Sequence, residues 1–198
     1  SAANDAYSQA IKIKSDYAEA YSLRGICLQL MAMYESAEQN YQSAIRLKPD
    51  YCEAYLNYGA LFFEKNNIIQ SIELYQKAVA INPVYSKAYS NLAISYMHLM
   101  MFDEALDACE TAIRQNTRDA ESQWNKVLIK LLLGDLDYGY SNFFWRKIKA
   151  DNKFGYRSSD KGLLEHFPDD LRNKKLLVYP EQGLGDYIQM LRYVEQLS

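Results

Sequence analysis

The sequence repeats with a period of about 34 residues, and this period limits the possible folds more than any other feature of the chain. The clearest equivalent sets are Tyr21, Tyr55 and Tyr89, then Ala20, Ala54 and Ala88, then Ala44, Ala78 and Ala112. Such a period is typical of solenoids, in which each unit buries its apolar face only against its neighbours. We predict a half unit (1–17), three complete units (18–51, 52–85 and 86–119) and a degenerate unit (120–149).

Each complete unit has the pattern of two helices joined by a turn. In the second unit, Tyr55, Gly59 and Phe62 share one face of a helix, because they follow the spacing i, i+4, i+7. Asn66-Asn67 follows as a turn signal, and Pro83 marks the end of the second helix, since proline cannot continue a helix. The predicted fold class is therefore all-α.

The units resemble the tetratricopeptide repeat family. Each carries Tyr at the family's usual Trp site, a small residue four positions later, and an aromatic or large apolar residue three beyond that. The third unit departs in its second half, where Cys109 replaces Tyr and Thr117 replaces Pro. The resemblance implies a right-handed superhelix with a concave groove lined by the first helix of each unit. It also implies that a protein or an extended peptide binds in that groove.

A line of asparagines is the candidate peptide site in this groove. Asn57, Asn91 and Asn125 are equivalent in three successive units, and Leu23 takes their place in the first. An Asn amide donates to a backbone C=O and accepts from a backbone N–H at once, so the ladder would hold a peptide by its main chain. A similar ladder lines the superhelix of the O-linked N-acetylglucosamine transferases. The alternative is that Asn is common at this site and merely solvated.

Other groove residues complete the candidate site and argue against two roles. We add Glu53, Lys87 and Phe63 to the residues that we expect to contact a peptide. The family's clamp for acidic C-terminal tails needs several Lys and Arg in the groove, which this groove lacks. His98 has no second ligand spaced to meet it, so we predict no metal site and no cofactor.

Charge and hydropathy exclude further classes of function. The net charge is −3 with 24% charged residues, which leaves no basic surface for nucleic acid. No apolar run approaches the roughly 20 residues that span a bilayer. The N-terminus lacks a signal-peptide pattern, and Cys27, Cys52 and Cys109 are scattered as reduced thiols would be. We therefore expect a cytoplasmic protein.

The pattern changes after the repeats. The segment NFFWRKIK predicts a capping helix, and residues 150–173 have no period and predict a linker. In residues 174–198, LLVY predicts a short buried strand, EQGLGD a loop, and the stretch from Asp186 a helix. Gly183, Gly185 and Asp186 would lie at the helix start, where backbone N–H groups can take a phosphate.

This end of the chain, about residues 134–198, resembles bacterial proteins that join tetratricopeptide repeats to a heptosyltransferase-like glycosyltransferase domain. The resemblance implies that Asp186 is a candidate general base near the acceptor and that Gly183 and Gly185 allow close approach. One strand and one helix cannot form such a domain, so we expect a piece of a longer protein that carries no catalysis itself. The predicted function is acceptor recruitment by peptide binding. The alternative is self-association into a homo-oligomer, or an assembly scaffold without any link to glycosyl transfer.

Overall fold

The computed structural model describes residues 2–143 and 145–146, all within the first of two units, Ser1–Gly155 and Tyr156–Ser198. Every helix named below belongs to this part of the chain. The helices are α1 Ala2–Ile13, α2 Ala18–Leu30, α3 Tyr34–Leu47, α4 Cys52–Glu64, α5 Ile68–Ile81, α6 Ser86–His98, α7 Phe102–Gln115, α8 Ala120–Leu132 and α9 Leu136–Ser141. The all-α prediction is confirmed for these residues. The predicted linker and the C-terminal strand, loop and helix lie outside the described residues.

The helices form consecutive hairpins. The hairpins are α2 with α3, α4 with α5, and α6 with α7, and each packs on the next through α3 and α4, α5 and α6, and α7 and α8. The first helices also touch along a row, α2 with α4, α4 with α6, and α6 with α8. No such contact joins α3 to α5 or α5 to α7 in the part of the chain that the structure describes. The first helices of the units, α2, α4, α6 and α8, are therefore the more closely spaced row, and they line the inner face of the stack.

The hairpins close because small residues face aromatic rings. A Cβ atom on Gly25 would lie 2.6 Å from Tyr41 Cε1, and one on Gly59 would lie 2.5 Å from Tyr75 Cε1. Both rings are buried, at 0% and 2% exposure. In the third hairpin the equivalent residues are Ala93 and Cys109, which are also buried. The third hairpin thus has a larger residue in its first helix and a smaller one in its second. Packing therefore explains why Cys109 replaces the tyrosine of the first two units.

The turn inside each hairpin places one residue in the left-handed region of backbone conformation. These residues are Ala32, Asn66, Met100 and Gly134, with φ of 56°, 58°, 58° and 82°. They occupy the same position in four successive units. Glycine adopts this conformation freely and asparagine tolerates it, whereas other side chains clash with the following carbonyl oxygen. The repeat thus imposes one turn geometry on four different residue types.

The last described residues pack against α8, the first helix of the fourth unit. The ring of Phe143 meets the indole of Trp124 edge to face, with centroids 5.3 Å apart. Gly139 is buried where α9 crosses α8, against the side chain of Leu131. Phe143 therefore contributes to the packing of this end of the stack from a turn that follows α9. Phe144, the next residue of the predicted cap, lies outside the described residues.

Candidate functional site

The inner face consists of parallel rows, one residue from each of α2, α4, α6 and α8 in every row. Residues three, four or seven positions apart share a helix face, so the rows lie side by side. The row near the helix starts is Glu19, Glu53, Lys87 and Glu121. The next row is Leu23, Asn57, Asn91 and Asn125. The third row is apolar and half-buried: Ile26, Ala60, Ile94 and Leu128.

The three asparagines share a row but have different surroundings. Asn57 is half-buried, and its Nδ2 donates to Ser22 Oγ at 3.3 Å, across to the preceding first helix. Asn91 is also half-buried. Burial raises the pKa of the Tyr75 hydroxyl, and a hydrogen bond from Asn91 opposes part of that rise. Asn125 is only 2% exposed, and its Nδ2 has no hydrogen-bond partner in the described structure.

These differences change what each amide can offer to a peptide. Asn57 and Asn91 reach the surface of the inner face while part of their hydrogen-bonding capacity goes to neighbouring helices. Asn125 has a free donor but little access to it, and an unpaired buried donor costs about 1–3 kcal/mol of stability. The structure thus brings all three into one row, and their contact with a peptide stays a prediction.

The other predicted contact residues lie at the two ends of the same helices. Glu53 is exposed, accepts a hydrogen bond from Cys52 Sγ at 3.1 Å, and takes part in no ion pair among the described residues. Lys87 is exposed in the next helix. Phe63 lies near the end of α4, where its ring meets that of His98 edge to face at 4.9 Å. Glu53 and Lys87 therefore lie along one side of the groove, near the helix starts, and Phe63 lies along the other, near the helix ends.

A cluster of hydrogen bonds at the C-terminal ends of α2 and α4 was not predicted from the sequence. Glu64 accepts from Gln29 Nε2 at 2.7 Å and from the Tyr34 hydroxyl at 2.9 Å. Gln29 Oε1 in turn accepts from the Tyr41 hydroxyl at 2.9 Å. The signal was available, because Gln29 and Glu64 lie at neighbouring positions of equivalent helices. The cluster joins the first hairpin to the second and uses the polar atoms of both groove residues.

An exposed apolar edge at the hairpin turns was also missed. The exposed side chains at and beside these turns are Leu30, Met31, Met33, Ile69, Leu99, Met100, Met101, Leu132, Leu133 and Leu136. A shallow cleft lies between two of the turns, lined by Asn66, Asn67, Ile68, Ile69, His98 and Leu99. The signal in the sequence was the placement of Leu and Met in turns, where polar residues are usual.

The remaining predicted site residues, Gly183, Gly185 and Asp186, lie outside the described residues. Within residues 2–143 and 145–146, no cluster of three His, Cys, Asp or Glu side chains could hold a metal ion. Across the same residues, every helix is too short or too polar to cross a membrane.

Comparison with models of known protein families identifies the repeats. A tetratricopeptide repeat model matches residues 86–118, and a second model of that repeat matches residues 18–51 and 53–85. The matches together cover about half of the chain. The chain belongs to the tetratricopeptide repeat family. The resemblance seen in the periodic residues is thereby confirmed, and it makes the described part of the chain a protein-interaction module of solenoid type.

Solved tetratricopeptide repeat structures share this fold. A crystal structure of MamA is 22% identical, with a TM-score of 0.64, and the match covers 74% of this chain and 88% of MamA. A MamA chain of Desulfovibrio magneticus RS-1 is 16% identical, with a TM-score of 0.62 over 73% of this chain and 81% of its own. YrrB, described as a tetratricopeptide repeat protein with an unusual peptide-binding site, is 19% identical, with a TM-score of 0.58 over 73% and 75%. At these identities the likeness concerns the fold alone. No curated protein matches this chain in sequence.

Proposed function

We propose that this protein binds an extended peptide segment of a partner protein along the inner face of α2, α4, α6 and α8. The observation that carries the proposal is the pairing of two rows, the half-buried amides of Asn57 and Asn91 beside the half-buried apolar row that includes Ile26 and Ile94. Amides can bind a peptide main chain, and an apolar row can take up alternate side chains. The peptide-binding site attributed to YrrB, a protein of similar fold, supports the same use of the solenoid.

We further propose that the bound segment belongs to the acceptor of a glycosyltransferase. The support is the sequence of residues 174–198, in which Gly183, Gly185 and Asp186 would form an acceptor loop with Asp186 as general base. In this proposal the repeats recruit the acceptor, and a glycosyltransferase domain to which residues 174–198 belong transfers the sugar. The 198-residue chain itself is expected to bind no UDP- or ADP-sugar, and a measurable heat of binding in calorimetry would contradict that expectation.

The peptide proposal is tested with random-sequence peptides displayed on phage and selected on the whole chain. Enriched peptides are synthesised and titrated calorimetrically. The double variant Asn57→Ala, Asn91→Ala is expected to bind them about tenfold more weakly, because each lost hydrogen bond contributes about 0.5–1.5 kcal/mol. The matched control is Gln39→Ala, Glu73→Ala, which changes two exposed, equivalent residues on the second helices. Equal affinities for the two double variants, or no enrichment at all, would contradict the proposal.

Self-association is a second candidate, and the exposed apolar edge at the hairpin turns favours it. Contiguous exposed apolar patches often mark protein–protein contacts. Light scattering over a range of concentrations separates the two candidates. A stable dimer would favour self-association, through the inner face if the dimer no longer binds the selected peptides and through the apolar edge if it still binds them. A monomer that binds them favours peptide recognition.

A further inference from the structure

The first hairpin holds one of the chain's own lysines between a carboxylate and an aromatic ring. Lys48 Nζ lies 2.9 Å from Glu19 Oε1 and 5.0 Å from the centroid of the Tyr51 ring. Glu19 is in the first turn of α2, Lys48 ends α3, and Tyr51 precedes α4. Carboxylates and aromatic faces both attract an ammonium group, so this corner of the unit is a cation site filled from within the chain.

The second unit has the same backbone arrangement. Glu53, Asn82 and Tyr85 are the equivalents, one unit later, of Glu19, Lys48 and Tyr51. The φ and ψ angles are −140° and 87° at Lys48 and −128° and 91° at Asn82. They are −84° and 86° at Tyr51 and −87° and 82° at Tyr85. Both tyrosine N–H groups donate to the residue three before them, to Lys48 O and to Asn82 O, at 3.1 Å. The carboxylate and the ring are therefore carried by matching backbone in the two units.

The second unit differs in the residue that would supply the cation. Asn82 is shorter and uncharged, and its Oδ1 accepts from the Val84 N–H at 3.2 Å. Burial raises the pKa of the Tyr85 hydroxyl, and the negative charge of Glu53 raises it further. Glu53 is exposed and makes no ion pair in the described part of the chain.

Neighbouring charges do not take the place of the missing lysine. Lys87, which follows Glu53 in the same row, is exposed and makes no ion pair with Glu53 in the described structure. In the third unit, Lys87, Asn116 and Asp119 replace the carboxylate, the lysine and the ring. Among the three complete units, the second therefore combines a tyrosine ring with a carboxylate that makes no ion pair in the described structure and accepts a hydrogen bond from the Cys52 thiol.

We propose that Glu53 and Tyr85 bind the ammonium group of a lysine side chain on the recognised peptide. The inference rests on the proposed peptide-binding function and adds a side-chain preference to it. The peptide's lysine would take the role in the second unit that Lys48 has in the first. A lysine at this site is expected to bind about fivefold more tightly than norleucine, its uncharged counterpart, since both attractions are modest at an exposed site.

The site is tested by NMR titration with Nα-acetyl-lysine-N-methylamide and with its norleucine analogue. The lysine probe is expected to shift the side-chain resonances of Glu53 and Tyr85, and the norleucine probe is expected to shift them much less at the same concentration. Asn82→Lys should abolish these shifts, because the new lysine would occupy the site, whereas Asn82→Gln should keep them. Lys48→Asn should create a second set of shifts, at Glu19 and Tyr51. Circular dichroism checks that each variant is folded.

Several outcomes would contradict the proposed lysine site. Equal shifts with both probes would show that charge has no part in binding, and shifts that survive Asn82→Lys would place the cation elsewhere. The selected peptides separate this inference from the function on which it rests. If they lose affinity in the Asn57→Ala, Asn91→Ala variant but keep it when their lysines become norleucine, peptide binding stands and the lysine site falls.

Discussion

Matched volumes decide the packing of single residues between the two helices of each hairpin. Gly25 and Gly59 face the rings of Tyr41 and Tyr75, while Ala93 stands opposite the smaller Cys109 in the hairpin stack. A protein interior tolerates changes that conserve total volume better than changes on one side alone. The pairs are therefore expected to behave as coupled positions.

Gly59→Ala tests this coupling. The substitution is expected to lower the free energy of unfolding by about 1–3 kcal/mol, because the new methyl group would lie 2.5 Å from the Tyr75 ring. The same substitution in a Tyr75→Cys background, which copies the third hairpin, should cost less by about 1 kcal/mol or more. Urea unfolding of the four proteins of the cycle measures the difference. Strict additivity would contradict the volume argument.

The buried amide of Asn125 is expected to lower stability, because its Nδ2 has no hydrogen-bond partner in the described structure. Asn125→Leu is expected to raise the free energy of unfolding by about 1 kcal/mol, since it removes an unpaired buried donor and keeps the volume. Asn57→Leu, the matched change at an amide that has a partner in Ser22, should bring no such gain. Urea unfolding distinguishes them. A loss of stability in Asn125→Leu would mean that its amide is satisfied in solution.

At the scale of elements, the hairpin turns combine a shared backbone geometry with unfavourable residues. Met100 is 77% exposed and has a φ of 58°, so its side chain neither packs in a core nor suits its backbone. Met100→Gly is expected to raise the free energy of unfolding by about 0.5–1 kcal/mol. This is the backbone strain that glycine relieves, reduced by the entropy that glycine adds to the unfolded chain. Gly134→Ala, the reverse change at the equivalent turn, should lower it, and urea unfolding measures both. A loss of stability in Met100→Gly would refute the strain.

Equivalent residues of the second helices also make contacts between one hairpin and the next. Gln42 and Gln76 donate to the Tyr58 and Tyr96 hydroxyls at 3.0 Å, and Glu110, the next equivalent residue, accepts from Lys126 Nζ at 2.9 Å. The same helix position therefore ties each hairpin to the following one. The third tie is an ion pair, so it is expected to depend on pH.

Glu110→Gln tests the ionic tie. The hydrogen bond from Lys126 lowers the pKa of Glu110 below its ordinary 4.5, so folding releases a proton and the stabilisation is present above that pH. It is lost as the pH falls through the lowered pKa. The variant should therefore be slightly less stable than the parent at neutral pH, and the difference should vanish once the pH falls below the lowered pKa; the effect is small because the pair is partly exposed. Glu104→Gln is the control, and an equal pH response of both variants in urea unfolding would contradict the assignment.

At the scale of the whole molecule, stability should vary along the stack. A solenoid is held by contacts between neighbours, so an outer helix has fewer of them. Helix α1 has no buried residue and packs on α2, whereas α4 packs on helices from both neighbouring hairpins. Amide hydrogen exchange is expected to be fastest in α1 and slowest in α4 to α6. Uniform protection would instead indicate one cooperative unit.

The sequence by itself determined the repeat length, the all-α class and the family. A helical face and a hairpin turn depend on residues close together in the chain, and these recur in each successive unit. The same reasoning makes Asn57, Asn91 and Asn125 equivalent residues of one row, and their contact with a peptide stays a prediction. The glycosyltransferase reading depended on residues outside the described part of the chain and stays a proposal.

Only the tertiary structure decided what each row can do. Asn57 meets Ser22, Asn91 meets Tyr75, and the Asn125 amide is buried without a partner for its Nδ2. Likewise Lys48 meets Glu19 only when the first hairpin closes, and Asn82 changes that corner in the next unit. Periodicity sets where a side chain points on its own helix, but its partners come from other helices, whose residues at the contact differ from unit to unit.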